Sequence, residues 1–460
     1  VPFYAYGGDF GEKMHDSNFC LNGIVASDGR PKAAIYECKR VFQPVESELI
    51  DAEKGLIKVI NRHAAKSLGG YAVSLIIRRD GKVIVNKALP AIPLAAGKDT
   101  VISIKSLLPK MDNASEYLAD IHFTLAQDEL WAPKGHEIAS NQFSLTGLST
   151  EKNVKNAYPA VQSEETNTAF MLKGKNFSVK FDKANGALTS WIQNGKEQIF
   201  QPLLPHFTRP KTDNDRRGWK PAQKLKEWYE PKMKLKSTVL KQIKPGITAI
   251  SSTYDLIDGR ASVQVDYTLN GDGVLKVDYS LRADTSLPNI PKVGMQTAIR
   301  RNYDNINWYG RGLLENYLDR RYGFDAAIYS QRIEEFMEPY VYPQENGNRT
   351  DVRWMYLSAD KGDEGLLVAA DSLLSMSAWP YTEENIVAAT HTNELKDAGF
   401  ITLNIDLIQM GVGGNDTWSD ISQPLEKYQI PAKNYNYSFY LMPAANVKGD
   451  IGKLAGKIKF

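Results

Sequence analysis

The chain has 460 residues, more than the roughly 250–300 at which a single hydrophobic core stops growing, so two or more domains are expected. Its composition, 42% hydrophobic and 24% charged, is that of ordinary globular protein and excludes disorder as the main theme. With 56 Lys and Arg against 54 Asp and Glu the chain is near neutral, and without a basic stripe it lacks the footprint of a nucleic-acid binder.

The opening stretch AYGGDFGEKMHDSNFCLNG, residues 5–23, is dense in glycine, aromatics and small polar groups. It reads as the lining of a site, whereas chain termini are usually the least constrained parts of a fold. Residues 28–42, DGRPKAAIYECKRVF, predict a helix. Pro31 suits a first helical position, Asp28 stands just ahead, and Ala34, Ile35, Cys38, Val41 and Phe42 fall on one stripe. About thirty residues precede this helix, too few for the core it needs. The two cysteines, Cys20 and Cys38, cannot make a disulfide framework; a reduced environment or simple burial fits both.

From about residue 46 the hydrophobic period changes to two. YAVSLIIRRDGKVIVNKAL alternates on both sides of Asp80-Gly81, a pair that supports a type I′ hairpin. Strand candidates follow at TVISIKSL, EYLADIHFTLAQ and SNQFSLTGL, and residues 46–148 are expected to form an immunoglobulin-like β-sandwich. Residues 149–164 are polar and contain proline, and read as a linker. Beyond them, 165–460 is also strand-rich, with turn pairs at Asn185-Gly186 and Asn194-Gly195. Val263, Val265, Tyr267 and Leu269 share one face, and Leu275, Val277, Tyr279 and Leu281 return it. One large antiparallel sandwich accounts for this length. The basic run Arg209–Lys226 reads as a solvated loop.

No apolar run approaches the ~20 residues of a membrane span, so no membrane partner is expected. A basic-then-apolar leader is not seen in this chain, which says little where the true start is expected upstream; the compartment stays unknown, with the cytoplasm expected first and periplasm or secretion open.

The six histidines are scattered without HExxH, GxSxG and P-loop patterns are absent, and GVGG at 411–414 lacks the spacing of a dinucleotide site. Glu315, Asp319 and Glu345 sit in ENYLDR and YVYPQENGNR, where hydrogen-bonded packing between loops is the reading. Aromatics carry the one suggestive arrangement: Tyr and Trp offer a flat apolar face and a polar edge to a sugar, and Trp418 stands in the glycine-rich GVGGNDTWSD. Taken alone, the residues allow sugar binding and stop there.

Five motifs then carry a resemblance. AYGGDFGEKMHDSNFCLNGIVASDGRPKAAIYECKRVFQPV resembles the end of the catalytic (β/α)8 barrel of the large β-galactosidases of glycoside hydrolase family 2. FTRPKTDNDRRGW, WYGRGLLENYLDRR, EPYVYPQENGNRTDVRW and GVGGNDTWSD look like signatures of that family's C-terminal sandwich. The fold implied is mainly β: the last strand-helix piece of the barrel over 1–45, an immunoglobulin-like sandwich over 46–148 and a large mutarotase-like antiparallel sandwich over 165–460. The implied activity is retaining hydrolysis of terminal β-galactosides by two glutamates, both upstream of this chain, so no catalytic residue is assigned here and the fragment alone is expected to be inactive.

In the matching DxxFCxNG segment the resemblance implies that the Phe19 carbonyl and the Asn22 side chain help hold Na+, an oxygen-ligated hard cation. It also implies that Asn22 touches the galactosyl group, that Asp16 orients neighbours, and that Trp418 forms a platform for the galactoside. Mg2+ ligands are expected upstream, and His15 stands where the family's pattern has asparagine, which puts a second divalent site in doubt. The complete enzyme is expected to be a homo-oligomer. The alternative is a non-catalytic carbohydrate-binding or assembly module. Aldose epimerisation would need a histidine and a carboxylate converging on the anomeric centre, and no motif supplies them.

Overall fold

The computed structural model describes residues 3–148, 155, 157–360, 364–445, 447 and 450–460. The expected linker at 149–164 falls partly outside them. The chain divides into two compact units, one of Ala34–Glu151 with Tyr322–Ile328, the other of Val1–Ala33, Lys152–Arg321 and Tyr329–Phe460.

The first unit begins in a helix, α1 (Ala33–Val41), whose last turn carries Lys39 and Arg40, cations that favour a helix C-terminus. Arg40 is held by Asp325 at 3.0 Å. The helix starts two residues later than the sequence suggests: Pro31 pairs instead with Val25 in an isolated bridge around a turn in which Gly29 has φ +84°. Seven strands follow: β1 (Val45–Asp51), β2 (Leu56–Asn61), β3 (Tyr71–Arg79), β4 (Lys82–Leu89), β5 (Asp99–Ser103), β6 (Tyr117–Leu125) and β7 (Glu137–Ser144). They form a three-stranded sheet, β1-β2-β5, and a four-stranded one, β4-β3-β6-β7, all antiparallel. Alternation along β3 sends Val73, Leu75 and Ile77 inward to join Ile57, Val59, Ile121 and Phe123 in one core. Asp80 and Gly81, at φ 49° and 80°, make the tight β3–β4 turn that the sequence predicts.

The second unit is one large antiparallel sheet curled on itself, running from Gln162–Glu165 to Tyr435–Ala445, with its inward residues in a single hydrophobic cluster. Its most regular hairpin is the one read from the sequence. Strand Ala261–Asn270 pairs with Leu275–Ala283 so that Val263 faces Leu281, Val265 faces Tyr279 and Tyr267 faces Val277, all buried. A one-residue slip would turn this whole apolar set outward, which pins the register.

Candidate functional site

The opening segment belongs to the second unit and forms no regular element except one 3₁₀ turn, Ser17–Leu21. Two of its carboxylates serve as turn acceptors. Asp9 accepts the Tyr6 amide at 2.8 Å, and Glu12 accepts the amides of Gly8 and Phe10 at 2.6 and 3.1 Å. That backbone bond from Tyr6, seconded by His391, holds the Asp9 carboxyl below the usual carboxylate range. Gly8, at φ +101°, is required: a Cβ there would come within 2.7 Å of the His15 ring.

Three sets of contacts fasten this segment to loops hundreds of residues away. Tyr6 donates its hydroxyl to the Thr390 carbonyl at 2.6 Å and stacks on His391, with centroids 4.5 Å apart and planes 5° apart. His391 Nε2 lies 2.9 Å from Asp9. Buried Asn18 donates to Asp213 at 3.0 Å and accepts from Arg217, whose other terminal nitrogen donates to the Asp16 carbonyl at 3.2 Å. Asp213 is shared further, accepting from Arg216 at 3.0 Å and from Gln344 at 3.2 Å. Finally, Arg30, just past the segment, pairs with Glu338 at 2.7 Å, while Lys32 ties the stretch to itself locally, donating to the Leu21 carbonyl at 2.6 Å.

The loop after strand Phe400–Gln409 is fixed from beneath. Buried Arg209 donates to the carbonyls of Met410 and Gly411 at 2.8 and 3.0 Å, and Asp319 accepts the amides of Val412 and Gly413 at 3.1 and 2.8 Å. Asn214 bridges the Asp416 and Ser422 carbonyls, both at 3.1 Å. A Cβ at Gly414 would meet the Ser422 carbonyl oxygen at 2.2 Å, so the chain can pass only as glycine. Asp416 accepts the Trp418 and Ser419 amides at 3.3 and 3.1 Å and closes the turn that displays Trp418. Trp418 is 63% exposed, and Phe19, 37% exposed, meets it edge to face with centroids 5.6 Å apart.

Of the residues singled out from the sequence, Phe19 and Trp418 are therefore neighbours across some 400 positions. Asn22 closes the 3₁₀ turn with an exposed side chain. Asp16 precedes that turn; it is exposed, its carboxylate caps nothing, and its main chain makes the contact to Arg217. His15 accepts the Ser17 amide at 3.1 Å.

Glu315 and Asp319 do pack loops together. Buried Glu315 accepts from Arg320 and Tyr340, each at 2.5 Å, and from the Gly347 amide at 2.8 Å. Burial pushes the Glu345 carboxyl up to about 8, against the opposing pull of Arg209 and Lys292.

The solvated-loop reading of Arg209–Lys226 is overturned. Arg209, Asp215 and Trp219 are buried, Arg209 lying 3.4 Å from Asp215, and Arg216 lies 3.8 Å over the Tyr342 ring. These charges find partners far along the chain, which a local charge count cannot see. Cys20 is exposed rather than buried, and both cysteines are free. Asn18, Asp213 and Arg217 carry no sequence signal of their own beyond their place inside the stretches SNFC and DNDRRGW.

Residues 173–441, more than half of the chain, match the family described as β-galactosidase small chain. The chain belongs to that family. Residues 57–146 match β-galactosidase domain 4, and residues 1–47 match the TIM barrel domain of glycosyl hydrolases family 2. Curated relatives include the β-galactosidase of Priestia megaterium, 32% identical over 447 residues, covering 96% of this chain and 43% of the relative. That of Halalkalibacterium halodurans is 31% identical over 423 residues, covering 90% of this chain and 41% of the relative. The chain thus spans less than half the length of these relatives. Among solved structures, galactose 1-epimerase from Lactobacillus acidophilus covers 63% of this chain and 99% of its own at 10% identity, with a TM-score of 0.33, too slight to carry an argument.

Proposed function

We propose that the chain is the C-terminal portion of a retaining β-galactosidase and supplies binding surface, while the two glutamates of the reaction lie outside it. The observation that carries this reading is the junction of Phe19 and Trp418. A segment matching the end of a glycoside hydrolase barrel meets an exposed indole presented by the small-chain sandwich, and family membership of both pieces supports a galactoside as the ligand. An indole face suits the C–H side of a pyranose, and Asn22, exposed at the end of the turn that carries Phe19, has an amide to offer a hydroxyl.

Na+ fits the oxygen chemistry of the same turn: the Phe19 carbonyl and the Asn22 side-chain oxygen would hold it together with ligands outside the chain, and it would orient a sugar hydroxyl. Mg2+ ligands are assigned outside the chain.

The test is turnover of a chromogenic β-galactoside. The 460-residue chain alone should be inert, and the longer polypeptide that contains it should be active. Turnover by a clean preparation of the chain would overturn the assignment of the glutamates; inactivity of the longer polypeptide would favour the binding-module alternative.

A further inference from the structure

An asparagine followed by glycine can react with its own main chain: the glycine nitrogen reaches the side-chain amide carbon, since glycine has no Cβ in the way and turns freely. The chain has five such pairs, Asn22-Gly23, Asn185-Gly186, Asn194-Gly195, Asn270-Gly271 and Asn346-Gly347. The sequence does not rank them. The structure does, because attack needs an unheld side chain, an unheld glycine N–H and a main chain able to rotate.

Three pairs are closed by hydrogen bonds on both groups. Asn185 accepts the Ala187 amide at 3.0 Å, and Gly186 donates to the Asp182 carbonyl at 2.7 Å. Buried Asn270 accepts the amides of Asp272 and Val274, each at 3.1 Å, while Gly271 donates to the Gly246 carbonyl at 2.9 Å. Buried Asn346 donates to the Gln344 carbonyl at 2.8 Å, and Gly347 donates to the Glu315 carboxylate at 2.8 Å. The fourth pair, Asn194-Gly195, is exposed but forms the two-residue turn of a hairpin, with Gln193 facing Lys196 across it and φ of 50° and 77° at the turn residues. The ladder on either side holds that main chain in place.

Asn22-Gly23 differs on every count. Both residues are exposed, and neither the Asn22 side chain nor the Gly23 N–H has a hydrogen-bond partner among the described residues. A Cβ on Gly23 would meet only main-chain atoms of Val25 within 4 Å, so the span stands in open space. Lys32 holds the carbonyls on either side, Leu21 through its amine at 2.6 Å and Ile24 through its amide at 3.0 Å. The ends are fixed and the reacting groups between them are free.

We infer that Asn22-Gly23 is a site of covalent self-modification, an intramolecular deamidation whose co-reactant is water. The Gly23 nitrogen gives up its proton to solvent base and attacks Asn22 Cγ. The new C–N bond forms, the Cγ–Nδ2 bond breaks, and the leaving nitrogen takes a proton from solvent to depart as ammonia. A five-membered succinimide remains. Water then opens the ring at either carbonyl: at Cγ it leaves aspartate, and at the main-chain carbonyl it leaves isoaspartate, whose main chain runs through the side-chain carbon. One water enters and one ammonia departs, with nothing oxidised or reduced.

The modification falls on a residue proposed above to meet the galactoside and Na+. Either product puts a carboxylate where a neutral amide stood, and isoaspartate also lengthens the main chain beside the turn that carries Phe19. The assignment of the site rests on the geometry of the five pairs and not on that reading.

The test incubates the folded 460-residue chain at pH 6 and pH 8 in heavy-oxygen water and follows all five pairs by peptide mapping and mass spectrometry. Asn22 should convert at least about tenfold faster than any other pair, since each hydrogen bond that must first break slows attack by up to about tenfold. The product should carry one heavy oxygen and contain both isoaspartate and aspartate, and it should form faster at pH 8, where the Gly23 nitrogen loses its proton more readily. Gly23→Ala, checked by thermal unfolding, should slow conversion at position 22 several-fold and leave the other pairs unchanged. Conversion of another pair as fast as Asn22 would overturn the inference, as would aspartate formed without isoaspartate, which means direct hydrolysis. Should Gly23→Ala fail to fold, the ranking of the five pairs and the isoaspartate yield in wild type decide.

Discussion

Trp131 and Trp418 are almost equally exposed, at 62% and 63%, and they are built in opposite ways. Trp131 sits in the β6–β7 turn. Its indole N–H donates to Glu129 at 2.8 Å, its ring meets His136 edge-on at 5.3 Å, and the Lys134 amide is held by Asp128 at 2.8 Å, all within nine residues of chain. Trp418 is displayed by a loop whose backbone is gripped by Arg209, Asn214 and Asp319, and its ring neighbour is Phe19. Exposure alone therefore does not mark a binding surface. A local turn can leave a tryptophan outside at no structural expense, whereas a loop ordered from several distant stretches is pre-organised, as recognition requires.

The contrast can be broken from the anchors upward. Glu315→Ala removes the carboxylate that pairs with Arg320 and caps the Gly347 amide, and leaves a buried cation; a loss of about 3–5 kcal/mol in urea unfolding is expected. Asp319→Ala deprives two loop amides of a charged acceptor, with an expected loss of about 1–3 kcal/mol and increased mobility of the Trp418 indole by fluorescence anisotropy.

Stability of the second unit should also fall with rising pH. Glu345 has its folded value raised from 4.5 to about 8, so its contribution is complete below about 4.5 and is lost as pH climbs towards 8, at up to about 1.4 kcal/mol per pH unit. Asp406 acts in the same sense up to about 7. Urea midpoints at pH 5 and pH 8 should differ less in Glu345→Gln than in wild type; an equal difference would refute the assignment. Trp131→Ala should change stability by less than about 0.5 kcal/mol and leave galactoside turnover intact.

What could be read from the sequence was whatever local chemistry determines. The alternation over 263–281 gave the strand faces, and Asp80-Gly81 gave the hairpin, because side-chain period and turn conformation are properties of neighbours. The position of Phe19 beside Trp418 was legible only through resemblance. Asn18, between the motif residues Asp16 and Phe19, has no local signal because its role is set by Asp213 and Arg217, some 195 and 199 positions away. Arg209 looks solvated in sequence for the same reason: its acceptors at Met410 and Gly411 lie across the fold. Partners fixed by long-range closure leave no periodic or spacing signal.

The most direct test of the galactoside surface is kcat/KM for lactose in the complete enzyme carrying Trp418→Ala. Loss of a stacking face of about 1–3 kcal/mol should lower it roughly 5- to 150-fold. A value equal to wild type, in a variant that unfolds at the wild-type temperature, would contradict the placement of the sugar against Trp418.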